Sequence, residues 1–359
     1  MSEHVGLCRM SCEKGVCPFF ACGSRHKKGA AMNALVTGAG GAIGRVLCRK
    51  LVERGDRVVG LFLPDEDAGA LEGLGVEVRR GDITVPGTLE GVSSGVDTVF
   101  HLAGRVTASG GMRLFYEVMA KGTENMLRES VDKVDRFVHV SSIAAYGMNR
   151  HLKGYTEDGP CLKTGVPYSD TKIDGEAFVR GYTFGTSTSY TIIRPANVLG
   201  PASVWVKDVC DAFLRGPVPL CDGGRYSASF VCVENLVDGI LLAADSDRAC
   251  NRAYNFRDDY TVTWKEYVTE IGSILGKKPG PGFPTRLAYP ISHLIETAYL
   301  PFYPANPPMT RMAVGVMGFD NDIDCTRARE ELGWRTRVTY REAMDAATAW
   351  AQEYAAAKR

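Results

Sequence analysis

The stretch Thr37-Gly38-Ala39-Gly40-Gly41-Ala42-Ile43-Gly44 decides the predicted fold of this chain. An apolar run ends where the stretch begins and an amphipathic run starts where it finishes, so the glycines join a strand to a helix. Glycines let the backbone turn sharply and approach a pyrophosphate, whose charge then lies on the amides and the positive dipole end of the helix. This strand–turn–helix setting predicts a dinucleotide site. Its expected contacts are Gly38, Gly41, Ala42, Ile43 and Gly44.

Downstream of this stretch, short apolar runs alternate with amphipathic runs, which is typical of a parallel sheet wrapped by helices. The predicted strands span residues 34–37, 57–63, 76–79, 98–102, 137–141 and 190–194, and the clearest helices span 43–53, 112–130 and 169–182. After Pro201 the order is irregular and glycine and proline become more frequent. The sequence therefore predicts an α/β fold, a Rossmann-type doubly wound parallel sheet with a smaller C-terminal substrate lobe. Its predicted parts are an N-terminal extension (1–31), a dinucleotide-binding domain (32–200) and a mainly substrate-binding lobe with returning sheet elements (201–359).

Composition and charge exclude several classes of protein. Of the 359 residues, 45% are apolar and 23% are charged, so the chain can bury a real core and is not predominantly disordered. Lys+Arg and Asp+Glu both number 42, so neither nucleic acid nor an anionic membrane is an expected partner. The longest apolar runs fall short of the roughly 20 residues that cross a bilayer. With no secretory signal and no Asn-x-Ser/Thr acceptor, the sequence favours a cytoplasmic protein that acts on a small ligand.

The 11 cysteines form two groups. Seven are scattered through the globular sequence and are predicted to be reduced, small, buried side chains: Cys48, Cys161, Cys210, Cys221, Cys232, Cys250 and Cys325. The other four lie in the extension before Met32, and they are Cys8, Cys12, Cys17 and Cys22. Their spacing matches no tight CxxC pair, so we expect a flexible segment there and no metal site.

The spacing Gly38-x-x-Gly41-x-x-Gly44 resembles TGxxGxxG, the nucleotide loop of the extended short-chain dehydrogenase/reductase superfamily. Further stretches resemble that family's motifs in order along the chain: Gly81-Asp82-Ile83, His101-Leu102-Ala103-Gly104, Tyr168-Ser169-Asp170-Thr171-Lys172, Arg194-Pro195-Ala196-Asn197-Val198-Leu199-Gly200-Pro201 and Ala328-Arg329-Glu330-Glu331-Leu332-Gly333-Trp334. The resemblance implies further cofactor contacts at Asp82, Ile83, Leu102, Ala103, Gly104, Tyr168, Lys172, Pro195, Asn197 and Val198.

The candidate catalytic residues are Ser142, Tyr168 and Lys172. On a helix, Tyr168 and Lys172 are i and i+4, so an ammonium lies beside the phenol and favours the phenolate. Lowering the pKa of a tyrosine by three units takes roughly 4 kcal/mol, to which an oxidised nicotinamide would contribute. Tyr168 would then exchange a proton with a substrate oxygen, and Ser142, at the end of a predicted strand, would hydrogen-bond that oxygen. The resemblance selects Ser142 over Ser141, because the family's serine lies four residues before the aromatic residue of Tyr146-Gly147.

Two positions depart from the family pattern. Phe62 stands at the end of the second predicted strand, where an aspartate would hold a ribose 2′-hydroxyl. No basic residue stands there, and the acidic run from Asp65 to Asp67 would repel the 2′-phosphate of NADP, so NAD is the expected cofactor and NADP is less expected. The alternative is that this run is a solvated turn that leaves the preference open. Met119 replaces the family's asparagine in the pattern NVxGT and cannot supply that amide's hydrogen bonds.

The serine, tyrosine and lysine serve both alcohol dehydrogenases and sugar-nucleotide epimerases or dehydratases in this superfamily. Asn197 favours the sugar-nucleotide class, because epimerases use an asparagine at that point. Ala228-Ser229-Phe230 argues against it, because epimerases commonly carry Arg-Asp-Phe there and a diphosphate would lose its bidentate partner. Arg225 is a nearby candidate replacement.

The C-terminal segment resembles the 3β-hydroxysteroid dehydrogenase branch of the family. Apolar residues follow helical spacing there, which alone is typical of an ordinary core: Leu287, Ile291, Leu294, Ile295 and Ala298. The resemblance rests on this segment together with Pro307-Pro308-Met309-Thr310 and Ser141-Ser142-Ile143. It implies interconversion of a secondary alcohol and a ketone on a hydrophobic, steroid-like substrate. A sugar-nucleotide epimerase or dehydratase with tightly bound NAD remains the alternative.

Two other classes of protein fit less well. Gly91-Val92-Ser93-Ser94-Gly95 matches the GxSxG pattern of serine hydrolases, but a nucleophile elbow needs a strand before it and here the strand comes after. A cofactor-sensing binding protein typically lacks the tyrosine or the lysine, and this chain has both, so an enzyme is expected. The helices predicted at 112–130 and 169–182 correspond to helices that pair across subunits in relatives, so a homodimer is also expected.

Overall fold

Most strands of this chain belong to one parallel sheet. The computed structural model describes residues 31–106, 110–302 and 307–358. The strands are β1 (Asn33–Thr37), β2 (Arg57–Phe62), β3 (Glu77–Arg80), β4 (Thr98–His101), β5 (Arg136–Val140), β6 (Ser189–Pro195), β7 (Asn197–Leu199), β8 (Leu220–Cys221), β9 (Phe230–Cys232), β10 (Arg252–Phe256) and β11 (Gly282–Phe283). Each of the six predicted strands forms, with its bounds displaced by no more than one residue at either end.

The main sheet has the strand order β3-β2-β1-β4-β5-β6-β10, and all neighbouring pairs are parallel. The chain moves outward in opposite directions from β1 and β4, which leaves a crevice at the carboxyl ends of these strands. Open α/β sheets bind their ligands at such a crevice. The prediction of a doubly wound parallel sheet is therefore confirmed.

Helices cover both faces of this sheet. They are α1 (Ala42–Arg54), α2 (Gly69–Glu72), α3 (Met112–Phe115), α4 (Gly122–Ser130), α5 (Pro167–Thr183), α6 (Val204–Arg215), α7 (Val233–Ala244), α8 (Trp264–Ile274), α9 (Thr285–Tyr299), α10 (Arg311–Met317), α11 (Thr326–Leu332) and α12 (Tyr340–Ala357). On one face, α1 and α7 contribute Leu47, Leu236 and Ile240 to a buried apolar core. On the other, α4 and α5 contribute Met126, Leu127 and Val179. Burial on both faces explains why the central strands are continuous apolar runs.

The helix predicted at 112–130 forms, but it is not regular. A π-helical turn, Tyr116–Lys121, lies between α3 and α4. Turns of this kind are frequent at functional sites. The irregular turn contains Met119, which is the position where the sequence departs from the family's asparagine.

A second apolar core lies among the C-terminal elements. Phe213 of α6 and Trp264 and Tyr267 of α8 are fully buried there, and α12 adds Met344 and Ala347. Strand β10 follows α6 and α7 in the chain and returns to the main sheet beside β6. The division of the chain at residue 200 stays a prediction.

The cysteines provide one correction. Cys48, Cys161, Cys210, Cys221, Cys232 and Cys325 are free, as the sequence predicts. Cys250 is disulfide-bonded, so the prediction of a reduced thiol is wrong there, because sequence spacing does not reveal which distant segment approaches a given side chain. The predictions for the extension and for Cys8, Cys12, Cys17 and Cys22 lie outside the described residues. Within the described ranges, no helix combines the length and apolar character that a membrane crossing requires, and no three His, Cys, Asp or Glu side chains gather to hold a metal ion.

Candidate active site

The glycine loop lies between β1 and α1 and leaves no room for side chains. Gly38 has a φ of +68°, and a Cβ added to it would lie 2.9 Å from the backbone nitrogen of Ala103. A Cβ on Gly44 would lie 2.2 Å from the carbonyl oxygen of Gly38. Helix α1 begins at Ala42, and no side chain caps its N-terminus. The loop is thus a bare backbone cradle at a helix N-terminus, which fits the pyrophosphate of a dinucleotide.

We expect Gly44→Ala to weaken the binding of NADH by at least about tenfold, because the new methyl group must displace the loop that carries Gly38. Titration of the reduced cofactor by fluorescence measures this affinity. Gly181→Ala is the matched control, since a Cβ on that helical glycine meets no atom within 4 Å. Gly41→Ala is a milder test, because its Cβ would lie 3.2 Å from the same oxygen of Gly38. Unchanged affinity in both loop variants would contradict a dinucleotide in this cradle.

A buried histidine supports the segment that faces the glycine loop. Thr123 Oγ1 donates its one proton to the carbonyl oxygen of Met119 at 2.7 Å, so His101 Nε2 must donate to Thr123 Oγ1 at 3.1 Å. His101 Nδ1 then accepts from Thr37 Oγ1 at 2.9 Å, and Thr37 Oγ1 accepts from the backbone N–H of Ala103. Burial lowers the pKa of His101 to about 3, so the ring stays neutral and the network stays intact. The sequence motif pointed to His101, but its positioning role emerges only from these contacts.

The serines after β5 have different partners. Ser141 is buried and donates to Glu176 Oε1 at 2.7 Å, and Glu176 pairs with Arg194 at 2.6 Å. Ser142 Oγ accepts from the backbone N–H of Ala144 at 3.1 Å and lines a cavity. Ser141 therefore belongs to a buried ion-pair network, whereas Ser142 is available to a ligand. The assignment of Ser142 as the catalytic serine stays a prediction.

Helix α5 presents the tyrosine and the lysine. Pro167 occupies its first turn, where proline is favoured because it needs no N–H partner, and Tyr168 follows directly. Lys172, one turn later, is buried, and its Nζ donates to the carbonyl oxygen of Val140 at 2.7 Å. The same Nζ lies 5.9 Å from the centre of the Tyr168 ring. Both side chains thus reach the carboxyl end of β5.

The electrostatics correct one expectation. Burial raises the pKa of the Tyr168 phenol, and a hydrogen bond with Ser142 acts in the opposite direction. Burial lowers the pKa of the Lys172 ammonium to about 8, and the nearby carboxylate of Glu176 acts in the opposite direction. The sequence predicts a lowered pKa for Tyr168, whereas burial raises it in this structure. The Lys172 ammonium donates to the carbonyl oxygen of Val140 rather than to the phenol.

A cavity of about 350 Å³ unites most of the predicted site. The predicted residues that line it are Gly38, Gly41, Ala42, Ile43, Gly44, Leu102, Gly104, Ser142, Tyr168, Lys172, Pro195, Asn197 and Val198. Ala103 is not among them, although its backbone packs against Gly38. Asp82 and Ile83 follow β3, where Asp82 Oδ1 accepts from the backbone N–H of Thr84 at 2.8 Å and Ile83 packs under Gly122. They are not part of this cavity.

Several residues that line the cavity are not among the predicted site residues. They include Met119, Met148, Trp205, Met312 and Asn321. The sulfur of Met119 accepts from the backbone N–H of Arg105 at 2.8 Å, so this side chain closes the cavity beside Gly104. Of these residues, Met119 is the one that the sequence marks, because it replaces the family's asparagine. The rest come from loops and from the C-terminal elements.

A second cavity, of about 240 Å³, adjoins the first. It lies between the start of α3, the start of α5 and helices α9 and α10. Tyr168 and Met312 line both cavities. The phenol is therefore at the junction between a cradle that fits a dinucleotide and a space that can hold another ligand.

Two sequence features that suggested other functions, the GxSxG pattern and Arg225, have structural explanations. Gly91 to Gly95 form a turn, and the hydroxyl of Ser93 donates to the backbone and the carboxylate of Glu129, so this serine is not a nucleophile at an elbow. The side chain of Arg225 is 67% exposed, donates to the Tyr226 hydroxyl and lines neither cavity.

Comparison with known proteins agrees with this geometry. The model of the NAD dependent epimerase/dehydratase family matches residues 34–256, more than half of the chain. A 4-hydroxy-2-methyl-3-oxo-4-farnesyl-3,4-dihydroquinoline-1-oxide ketoreductase from Stigmatella aurantiaca is 30% identical over 320 residues, which cover 88% of this chain and 95% of the relative. The sterol-4-alpha-carboxylate 3-dehydrogenase, decarboxylating, of Mus musculus is 27% identical over 328 residues, which cover 88% and 90%.

Among solved structures, a UDP-glucose 4-epimerase from Thermotoga maritima matches with a TM-score of 0.71 and 22% identity, covering 90% of this chain and 99% of its own. At this identity the likeness shows the fold alone. The matched family model and the relatives together settle the family. The chain belongs to the NAD dependent epimerase/dehydratase family, and it is an NAD-dependent oxidoreductase of the extended short-chain dehydrogenase/reductase type.

Proposed function

We propose that this chain interconverts a secondary alcohol and a ketone on a hydrophobic, steroid-like substrate with NAD(H). The observation that carries the proposal is that Tyr168 lines both cavities, one beside the glycine loop and one beside α9. A phenol at such a junction is within reach of a substrate oxygen on one side and a dinucleotide on the other. Ser142, which shares a hydrogen bond with this phenol, completes the polar edge of the junction.

The proposed chemistry assigns one role to each side chain. In oxidation, Tyr168 Oη takes the proton of the substrate hydroxyl as the ketone forms, and in reduction it returns a proton to the carbonyl oxygen. Bound NAD supplies the acceptor or donor of the hydride, so oxidation takes one proton from the hydroxyl oxygen and one hydride from the carbon. Ser142 Oγ hydrogen-bonds the same substrate oxygen. Lys172 is predominantly protonated at pH 7, given its pKa of about 8, and its charge favours the phenolate.

The second cavity suits an uncharged, apolar ligand. Its apolar lining includes Met112, Phe115, Val166, Leu300 and Met312. The ionic groups in its wall neutralise one another, because Arg311 Nε lies 2.5 Å from Glu296 Oε2 and the Arg311 backbone N–H also binds Glu296. The names of the relatives describe a ketoreductase of a farnesylated dihydroquinoline-1-oxide and a dehydrogenase of a sterol carboxylate, both of which are bulky molecules with large hydrocarbon parts. These likenesses support a bulky hydrophobic substrate here.

A sugar-nucleotide epimerase or dehydratase with tightly bound NAD is the second candidate. Asn197 lines the first cavity, which favours it. Against it, Asn197 Nδ2 already donates to the carbonyl oxygen of Ala228 at 2.8 Å. Arg225, the candidate phosphate-binding replacement, lines neither cavity. A diphosphate would therefore lack the bidentate partner that makes such sites strong.

A panel assay that follows the absorbance of reduced nicotinamide tests the proposal. The panel contains 3-hydroxysteroids, simple flavonoid ketones and UDP-sugars, each with both NAD(H) and NADP(H). We expect net formation of NADH with a 3-hydroxysteroid and none with a UDP-sugar. Turnover of UDP-sugars alone, without net reduced cofactor, would contradict the proposal and support the epimerase alternative.

Three further features belong to the same proposal. Residues 32–200 are assigned to cofactor binding and residues 201–359 mainly to substrate binding, because the second cavity is closed by α9 and α10. Residues 112–130, from α3 through α4, and residues 169–182, within α5, form the proposed pairing surface of a homodimer. The proposed location is the cytoplasm.

A further inference from the structure

The carboxyl end of β2 lacks the residue type expected of an NAD site. Phe62, the last residue of β2, is 1% exposed, and its ring lies under the glycine loop, with one carbon 3.6 Å from a Cβ added to Gly40. A buried ring offers no oxygen to a ribose hydroxyl. The acceptor at this corner must therefore come from elsewhere in the chain.

Glu66 places a carboxylate at this corner. Its Oε2 accepts from the backbone N–H of Leu63 at 3.1 Å. Its Oε1 would lie 2.2 Å from a Cβ on Gly40, so this oxygen lies directly against the glycine loop. The loop after β2 thus places a carboxylate beside the end of β2, where Phe62 provides none.

The loop that carries Glu66 is held in place from below. Arg80, at the end of β3, donates through Nη1 to the carbonyl oxygens of Leu63 and Glu66. Its guanidinium carbon lies 5.8 Å from the centre of the Phe62 ring. These two hydrogen bonds from Arg80 Nη1 fix the loop, and among the described residues no hydrogen bond to Glu66 Oε1 is found.

We propose that Glu66 is the residue that selects NAD over NADP. Its Oε1 accepts a hydrogen bond from the adenosine ribose hydroxyls and repels a phosphate on the 2′-oxygen. A hydrogen bond to an ionised acceptor is stronger than one between neutral groups, and two like charges this close weaken binding. The preference for NAD is thus assigned to a loop glutamate that lies four residues after the position where the family carries its aspartate.

Other charged groups near the end of β2 could produce the opposite preference, for NADP. Arg45, on the first turn of α1, donates through Nε to the carbonyl oxygen of Gly40 at 2.7 Å. Arg80 is the second cation. Asp65 and Asp67 flank Glu66 and are exposed, and Asp67 accepts from the backbone N–H of Gly69. If the cations dominated, a 2′-phosphate would bind better than a hydroxyl.

Calorimetric titration with ADP-ribose and with 2′-phospho-ADP-ribose tests the proposal without any turnover. We expect the wild-type protein to bind ADP-ribose at least about tenfold more tightly than its 2′-phosphorylated form. In Glu66→Gln, ADP-ribose should bind about tenfold more weakly and the 2′-phosphorylated ligand more tightly, so that the preference disappears. Asp65→Asn removes the same charge from the same loop and should leave the preference within about twofold of wild type.

Three results would overturn the proposal. The first is an unchanged preference in Glu66→Gln, provided that its melting temperature matches the wild type. The second is an equal loss of preference in Asp65→Asn, which would assign the effect to the general charge of the loop. The third is a wild-type protein that prefers the 2′-phosphorylated ligand, which would make Arg45 and Arg80 the deciding groups. If neither ligand binds, the dinucleotide site itself is contradicted as well. That outcome is thereby distinguished from a failure of the Glu66 assignment alone.

Discussion

Tyr168→Phe should lower turnover by roughly a thousandfold and leave NADH affinity within about threefold of wild type. The substitution removes one oxygen and keeps the ring that lies between the two cavities. Without the phenol, the hydroxyl proton of the substrate has no positioned acceptor as the ketone forms. Ser142 remains, but a hydroxyl that only donates to the substrate oxygen does not replace a base.

Single-turnover kinetics with a substrate identified by the panel assay measures this effect. Tyr190→Phe is the matched control, because its hydroxyl accepts from Arg180 at 2.7 Å and lines neither cavity. We expect that control to keep the wild-type rate. A Tyr168→Phe variant that retained full turnover would remove Tyr168 from the mechanism.

Lys172→Met should produce an inactive protein that is more stable than the wild type at pH 7. Burial lowers the pKa of this lysine from 10.5 to about 8, so keeping it charged in the fold opposes stability by about 3 kcal/mol. Loss of its hydrogen bond to Val140 offsets part of the gain. The net expectation is about 1–2 kcal/mol of added stability, together with a large loss of turnover.

The stability difference between Lys172→Met and the wild type should depend on pH in a defined direction. Between about pH 8 and 10.5 the unfolded wild-type chain binds more protons than the folded one, so wild-type stability rises with pH relative to the variant. The advantage of Lys172→Met is therefore complete below pH 8 and is lost as the pH rises toward 10.5. Urea unfolding across this range measures the difference.

Lys207→Met is the control for the lysine experiment. Its ammonium is bound to Asp211 at 2.8 Å on the surface, and this contact raises the pKa of Lys207 above its usual value. Its stability relative to the wild type should therefore be nearly constant between pH 8 and 10.5. A Lys172→Met variant that is less stable than the wild type at every pH would contradict this prediction. It would show that burying the charged ammonium does not destabilise the folded protein.

The sheet and the glycine loop could be predicted because local pattern determines them. The apolar runs are strands buried on both faces, and the glycines occupy positions where a Cβ collides with backbone, as at Gly38 and Gly44. The choice of Ser142 over Ser141 also agrees with the contacts that each hydroxyl makes. In these cases a residue's chemistry and its place in the chain are enough.

Other features depend on segments that meet only in the fold. Local sequence marks Met119 and the acidic run that contains Glu66, but it predicts neither the π-helical turn, nor the contact of Glu66 with the glycine loop, nor the bond of Lys172 to Val140. The pKa of Tyr168 illustrates the limit. An i and i+4 spacing places two groups on one helix face, but the nearest acceptor decides where the ammonium points. The disulfide bond at Cys250 has the same origin.

The most direct test of the account is the distance between Tyr168 Oη and the substrate oxygen in a crystal structure with NADH and a 3-ketosteroid. We predict a hydrogen bond of about 2.5–3.0 Å, with the nicotinamide in the cavity beside Ser142 and the steroid in the cavity beside α9. A nicotinamide bound elsewhere, or a steroid oxygen beyond roughly 5 Å from this phenol, would contradict proton transfer by Tyr168.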